Sequence, residues 1–194
     1  MILSSLFSMW LSILLTATPL QPTVYTLSSQ SNLAVKGTST LHDWIMEMES
    51  LEGKATFNLD EESNLTVSDL TLTLKTEELK SEHDKMDKIA YEALKSDKYP
   101  KITFKASELK TLSKNGNVIK VSGKGQLTIA GVTKTITLNA DCKVSDNGQI
   151  TCTGSKKIKM SDYGIDPPTA MFGTIKTGDD LTIVFSAGFA QIGQ

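Results

Sequence analysis

Arginine is missing from this chain: all 20 basic residues are lysine. Without guanidinium groups there is no planar, two-pronged grip on phosphate or carboxylate, so an anion must be met by ammonium groups, hydroxyls or backbone N–H. Positive charge is not in excess either. The net charge of −2 and isoelectric point of about 5.7 provide no basic field, which argues against a nucleic-acid partner. Aromatic residues make up only 6%, too few for the girdles of an outer-membrane barrel. The faces opposite the Leu and Ile rows carry Thr, Lys and Glu, which excludes stable membrane insertion of that kind. Histidines number only two. His83 has Glu82 and Asp84 beside it rather than one helical turn away, whereas a zinc site wants several convergent N or S donors. No metal and no cofactor is expected.

Apolar runs are equally scarce, with one exception. Ile2 to Ala17 carries no charge and is followed by Thr18-Pro19-Leu20, the pattern of an export signal with a small-residue exit. The expectation is a removed signal over residues 1–20 and a single domain over 21–194, periplasmic or secreted. The two cysteines agree with that address. Cys142 and Cys152 flank KVSDNGQIT, in which Asp146-Asn147-Gly148 suits a three-residue hairpin loop with Gly148 left-handed. That register sets Val144 opposite Ile150 and Cys142 opposite Cys152, within reach of a disulfide. Two buried thiols are the alternative.

What the chain has in abundance is alternation. Leu70, Leu72 and Leu74 share a face, as do Ile102 and Phe104, Leu127 and Ile129, and Ile136 through Val144 at every second position. The row Leu181, Ile183, Phe185, Ala187 and Phe189 does the same near the end. One apolar and one polar face per segment means antiparallel strands, about eight of them. The period breaks once. Met86, Ile89, Ala90, Ala93 and Leu94 follow the spacing of one amphipathic helix, which Pro100 cannot continue. Many strands and one helix in a chain of 194 residues predict an all-β antiparallel barrel, closed or nearly closed. Its interior is either filled by its own side chains or open to one ligand. The small residues Gly123, Gly125, Ala140 and Ala187 fit both versions.

The stretch STLHDW, Ser39 to Trp44, puts the components of a hydrolytic triad within six residues. Neighbouring side chains of an extended chain diverge, and a relay needs convergence from separate segments. No catalytic residue and no enzyme is expected from it. His42 instead shares parity with Trp44, Met46 and Met48, an assumed inner face. Leu33 and Val35 have the other parity, so a turn or bulge must fall between Gly37 and Asp43, with Asp43 or Thr38 bonding backbone there.

Four blocks carry a resemblance: KGTSTLHDW (36–44), HDKMDKIAYEALKSDKYPKITF (83–104), GQLTIAGVTKTITL (125–138) and MSDYGIDPPTAMFGTIKTGDD (160–180). Together they resemble the YceI-like family, in its Bacteroidetes-type branch. The resemblance implies an extended eight-stranded lipocalin-like barrel, the helix lying across one side or end. It also implies an exported protein whose lumen takes a long-chain apolar or amphiphilic lipid, polyisoprenoid or fatty, and it admits a homodimer. The residues expected to line lumen and mouth are His42, Trp44, Met46, Met48, Leu72, Phe104, Leu127, Ile129, Met171, Phe172, Ile183 and Phe185. Pro167-Pro168 must break a strand. The apolar Ala170-Met171-Phe172 just beyond then either plugs a barrel end or borders the entrance. The competing expectation for function is an exported structural or interaction protein with a self-filled barrel and no ligand.

Overall fold

Each alternating segment forms a strand in the computed structural model, which describes residues 22–60 and 62–192. The signal expected over 1–20 lies outside the described residues. In chain order the elements are β1 (Thr23–Leu27), β2 (Asn32–Gly37), β3 (Trp44–Met48), β4 (Glu52–Leu59), β5 (Leu65–Lys75), β6 (Leu79–Lys80), α1 (Asp84–Leu94), β7 (Lys101–Asn115), β8 (Val118–Ile129), β9 (Val132–Val144), β10 (Ile150–Lys159), β11 (Thr169–Ala170), β12 (Ile175–Lys176) and β13 (Asp180–Gln191).

Three of the barrel's staves are bent strands split in two. Both β1 and β2 pair with β13, at Leu27↔Phe189 and Asn32↔Ser186. Beside them β4 pairs with β1 and β3 with β2, while β5 pairs with β4 and β6 with β3. The ring then runs β5-β7-β8-β9-β10-β13 and closes by the β13–β1 pairing. Counted as staves this is a closed eight-stranded antiparallel barrel, the architecture that the alternation predicts. Closure removes the unpaired edges on which strands aggregate.

One ladder is incomplete. β9 pairs with β8 from Ile119↔Cys142 to Ile129↔Val132, yet with β10 only from Ile150↔Val144 to Thr153↔Asp141. Beyond that point β10 stays with β13 as far as Lys159↔Asp180. The short turn Ser161–Tyr163 packs against both β9 and β10 beside this gap, with Met160, Tyr163 and Ile165 buried.

The helix lies against the bend. Its apolar face meets Met46, Met48, Leu74 and Leu79 through Met86, Ala90 and Leu94. Buried Asp87 accepts from the backbone N–H and the hydroxyl of Ser81, each at 2.7 Å, anchoring the first turn. Tyr91 Oη donates to the carbonyl of Glu77 at 2.8 Å. Left-handed Lys95 (φ 54°) ends the helix, with the Ser96 N–H returning to the Tyr91 carbonyl.

The hairpin between β9 and β10 has the expected register. Gly148 is left-handed (φ 78°), the Ser145 N–H donates to the Gln149 carbonyl, and Cys142 and Cys152 form a buried disulfide.

Candidate functional site

Inside the staves runs an apolar cavity of about 860 Å³, lined by residues from every part of the barrel and from α1. Its walls follow from register. Lys156, Ile183, Val35 and Met46 are successive cross-strand partners, and Gly154, Phe185 and Leu33 form the next row. Leu72, Ile183 and Phe185 border the cavity, yet each is only half-buried. On inward faces of a closed barrel that exposure comes from the lumen itself. The lumen is therefore hollow, at a size in the upper part of the ~300–1,000 Å³ usual for small-molecule sites.

At its far end three rings close the space. Tyr25 meets Phe57 edge-on at 5.1 Å between centroids, and Phe57 meets Phe189 at 5.0 Å. Two inward glycines have a different task from leaving room. A Cβ at Gly125 would overlap the Phe104 ring, and one at Gly154 would sit 2.6 Å from Phe185. These small residues seat large ones, and the hollow lies between the rings.

The opposite end is the mouth, built from the turn 38–43, the segment 160–180 and the start of α1. Ser39 organises the turn. Its hydroxyl accepts from the N–H groups of Leu41 and His42 (3.1 Å each) and donates to the His42 carbonyl at 2.8 Å. Ser39, rather than Asp43 or Thr38, thus bonds the backbone of the turn. His42 Nδ1 lies 2.7 Å from the Asp43 carbonyl oxygen. The Ser39 hydroxyl and His42 Nδ1 both bond backbone, and the two side chains do not bond each other. Trp44 lies against Gly37 and donates from Nε1 to the Thr38 carbonyl at 3.0 Å. Backbone bonds from Thr40 to Lys176 and from Gly178 to Thr38 (both 2.9 Å) tie this turn to the segment opposite.

Two titratable groups in the second half of the mouth depart from their ordinary values. Asp179 accepts from the Ser161 hydroxyl (2.6 Å) and N–H (2.8 Å), bonds that hold its carboxyl below the ordinary carboxylate range. Burial, with Asp162 nearby, pushes the Tyr163 hydroxyl up to about 12.

Of the residues expected at the site, His42, Trp44, Met46, Leu72, Phe104, Leu127, Ile129, Ile183 and Phe185 border the cavity. Met48 packs behind Met46 against Leu79 and does not. Met171 and Phe172 neither plug the barrel end nor line its entrance. Both are left-handed (φ 51° and 55°) in the β11–β12 turn, which swings their side chains outward to 68% and 111% exposure. Sequence reasoning missed the contributions of Met86, Ile89 and Ala93 from α1, and those of Lys156 and Tyr163. Parity with Cys152 and Ile158 was the available signal for Lys156.

Among the described residues no helix is long and apolar enough to cross a membrane. The YceI-like domain model matches residues 25–189. No curated protein matches the chain. Among solved structures, BcnA of Burkholderia cenocepacia is similar with a TM-score of 0.61 at 18% identity, over 82% of this chain and 96% of that one. A polyisoprenoid binding domain from Saccharophagus degradans, implicated in plant cell wall breakdown, gives 0.61 at 11% identity, over 88% and 99%. The Campylobacter jejuni YCEI protein gives 0.55 at 23% identity, over 76% and 84%. At these identities the likeness is one of fold.

Proposed function

The chain belongs to the YceI-like domain family, and from that premise we propose that it is an exported carrier, holding a long-chain polyisoprenoid or fatty amphiphile in its lumen without chemical turnover. The observation that carries this reading is the apolar lumen of about 860 Å³ running from the polar mouth to the Tyr25–Phe57–Phe189 cluster. A native core has no voids of that scale, which disfavours the alternative of a self-filled structural barrel. Each methylene drawn from water into such a lumen gains roughly 0.8 kcal/mol. A tail of about a dozen carbons would then bind usefully even after the losses of association. The similar Saccharophagus degradans domain is a polyisoprenoid-binding one, and this lumen offers the same kind of ligand a place. A buried disulfide fits an oxidising compartment such as the periplasm.

Native mass spectrometry of the protein purified gently from its exported fraction tests the proposal. A bound mass that reappears after solvent extraction as an isoprenoid or fatty molecule supports it and identifies the cargo. A bare polypeptide that stays bare in excess isoprenoid and fatty probes refutes it.

A further inference from the structure

The charged residues bordering the lumen fall into two groups. Glu82, just before α1, and Asp84 and Lys85 in its first turn are exposed at the rim of the mouth. Lys156 is different, because it comes from the inner face of a stave. Along β10 the inward positions include Cys152, Gly154, Lys156 and Ile158, all buried or half-buried, while Ser155, Lys157 and Lys159 are exposed. Its cross-strand partner is Ile183, followed by Val35 and Met46.

An ammonium group on an apolar wall is costly unless something compensates it. Among the described residues none does. Lys159 pairs with Asp180 at 3.4 Å, and Lys120 with Asp141 at 3.4 Å, whereas Lys156 makes no ion pair or hydrogen bond among the described residues. Lys156 also lies just past the point where the β9–β10 ladder stops, at Thr153↔Asp141. Beside it the β9–β10 ladder is interrupted, and the turn Ser161–Tyr163 packs against both strands there.

A second unpaired donor lies close by in sequence and borders the same cavity. Tyr163 is only 2% exposed, and its hydroxyl has no hydrogen-bond partner among the described residues. Its raised pKa of about 12 keeps it a proton donor across the ordinary pH range. The one buried side-chain atom sealed without a partner among the described residues is Asn58 Oδ1. The Lys156 and Tyr163 donors therefore both face accessible space.

We propose that Lys156 and Tyr163 form an anion-recognition site at the mouth-side end of the lumen, selecting amphiphiles with a carboxylate or phosphate head over neutral ones of the same chain. The proposal rests on the carrier reading and deepens it. It also orients the cargo: the head sits beside β10 and the tail points toward Tyr25, Phe57 and Phe189. In a chain without arginine, an ammonium and a phenol are the strong donors left for such a head.

The experiment compares hexadecanoate, hexadecyl phosphate and hexadecanol on the full chain at pH 8, by competition in native mass spectrometry. The wild type is expected to favour the two anions over the alcohol by about tenfold or more, the worth of a charge-assisted hydrogen bond. Lys156→Met should bring the three within about twofold while keeping the alcohol bound. Tyr163→Phe should lower the preference part of the way. Whichever anion binds better then identifies the head as carboxylate or phosphate. A measurement on the unmutated protein guards against misfolding of the variants: acidification through the fatty acid's own titration should erase its advantage over the alcohol and spare the phosphate. Equal, tight binding of anion and alcohol by the wild type overturns this proposal and leaves the carrier standing. A preference for either anion that survives Lys156→Met, or a preference for hexadecanoate that survives acidification, also overturns it. Binding of none of the three overturns this proposal, and the carrier reading falls with it only if isoprenoid probes stay unbound too.

Discussion

Ala187→Leu is the sharpest probe of whether the lumen holds an alkyl chain. Ala187 borders the cavity, is 4% exposed and pairs with Cys152. It lies six residues along β13 from Leu181 at the mouth, or about 20 Å at the rise of an extended strand. A leucine there adds three carbons to the deep half of the lumen and displaces roughly three methylenes of any tail that reaches so far. At about 0.8 kcal/mol per methylene the loss is roughly 2.4 kcal/mol, or about 60-fold in affinity. Short tails that never reach position 187 should lose nothing. The assay is a ladder of saturated alcohols from eight to eighteen carbons, whose neutral heads keep Lys156 out of the comparison. Wild-type affinity should rise about fourfold per added carbon and then level off where the lumen is full. In the variant the plateau should begin about three carbons earlier. Thermal unfolding of both proteins checks that overpacking has not loosened the barrel. Affinity independent of chain length, or a plateau that does not move, would refute the reasoning.

Replacing both Cys142 and Cys152 by serine opens a ten-residue separation and should cost about 2.5–3 kcal/mol, measured as a shift in urea midpoint with the fold retained. Tyr163 has a folded pKa raised to about 12 from 10.0, so its contribution is intact below pH 10 and is lost as pH rises toward 12. Tyr163→Phe should flatten that alkaline limb of the stability curve. Asp179 behaves oppositely. Its folded pKa lies below the ordinary 3.8, so stability is present above that value and lost as pH falls through the folded one. Asp179→Asn should flatten the acid limb, read as urea midpoint against pH. Gly125→Val forces the Phe104 ring to move and should cost about 1–3 kcal/mol in the same denaturation assay.

The barrel was legible because its signal is periodic and repeated. Rows such as Leu70-Leu72-Leu74 and Leu181 through Phe189 each state which side faces inward, and their number points to a barrel, whose full closure only the β13–β1 pairing shows. The Asp146-Asn147-Gly148 hairpin was legible to the residue, since loop length fixes register and register fixes which cysteines meet. Bends were not. The splits at 28–31, 49–51 and 76–78 turn three staves into six strands, and alternation says nothing about where a ladder changes partner. Met171 and Phe172 misled for a related reason. Apolar side chains in a loop suggest burial, but their left-handed backbone, which no periodicity reports, points them outward. Lys156 was hidden by its own charge: a lysine in an alternating strand is assumed to face solvent until the parity of its neighbours is counted.

The seam of the barrel joins Tyr25 to Gln191, the first strand to the last. Closing a loop of nearly the whole chain is an entropic cost met only when both ends are present. A nascent chain cannot complete the barrel, because the last stave emerges last. Until then the inner faces of seven staves lack their enclosure, and folding should be slow, as for other proteins dominated by distant pairings. The same seam thus sets an order of events. Nothing can be enclosed in the lumen until the last stave has joined the first.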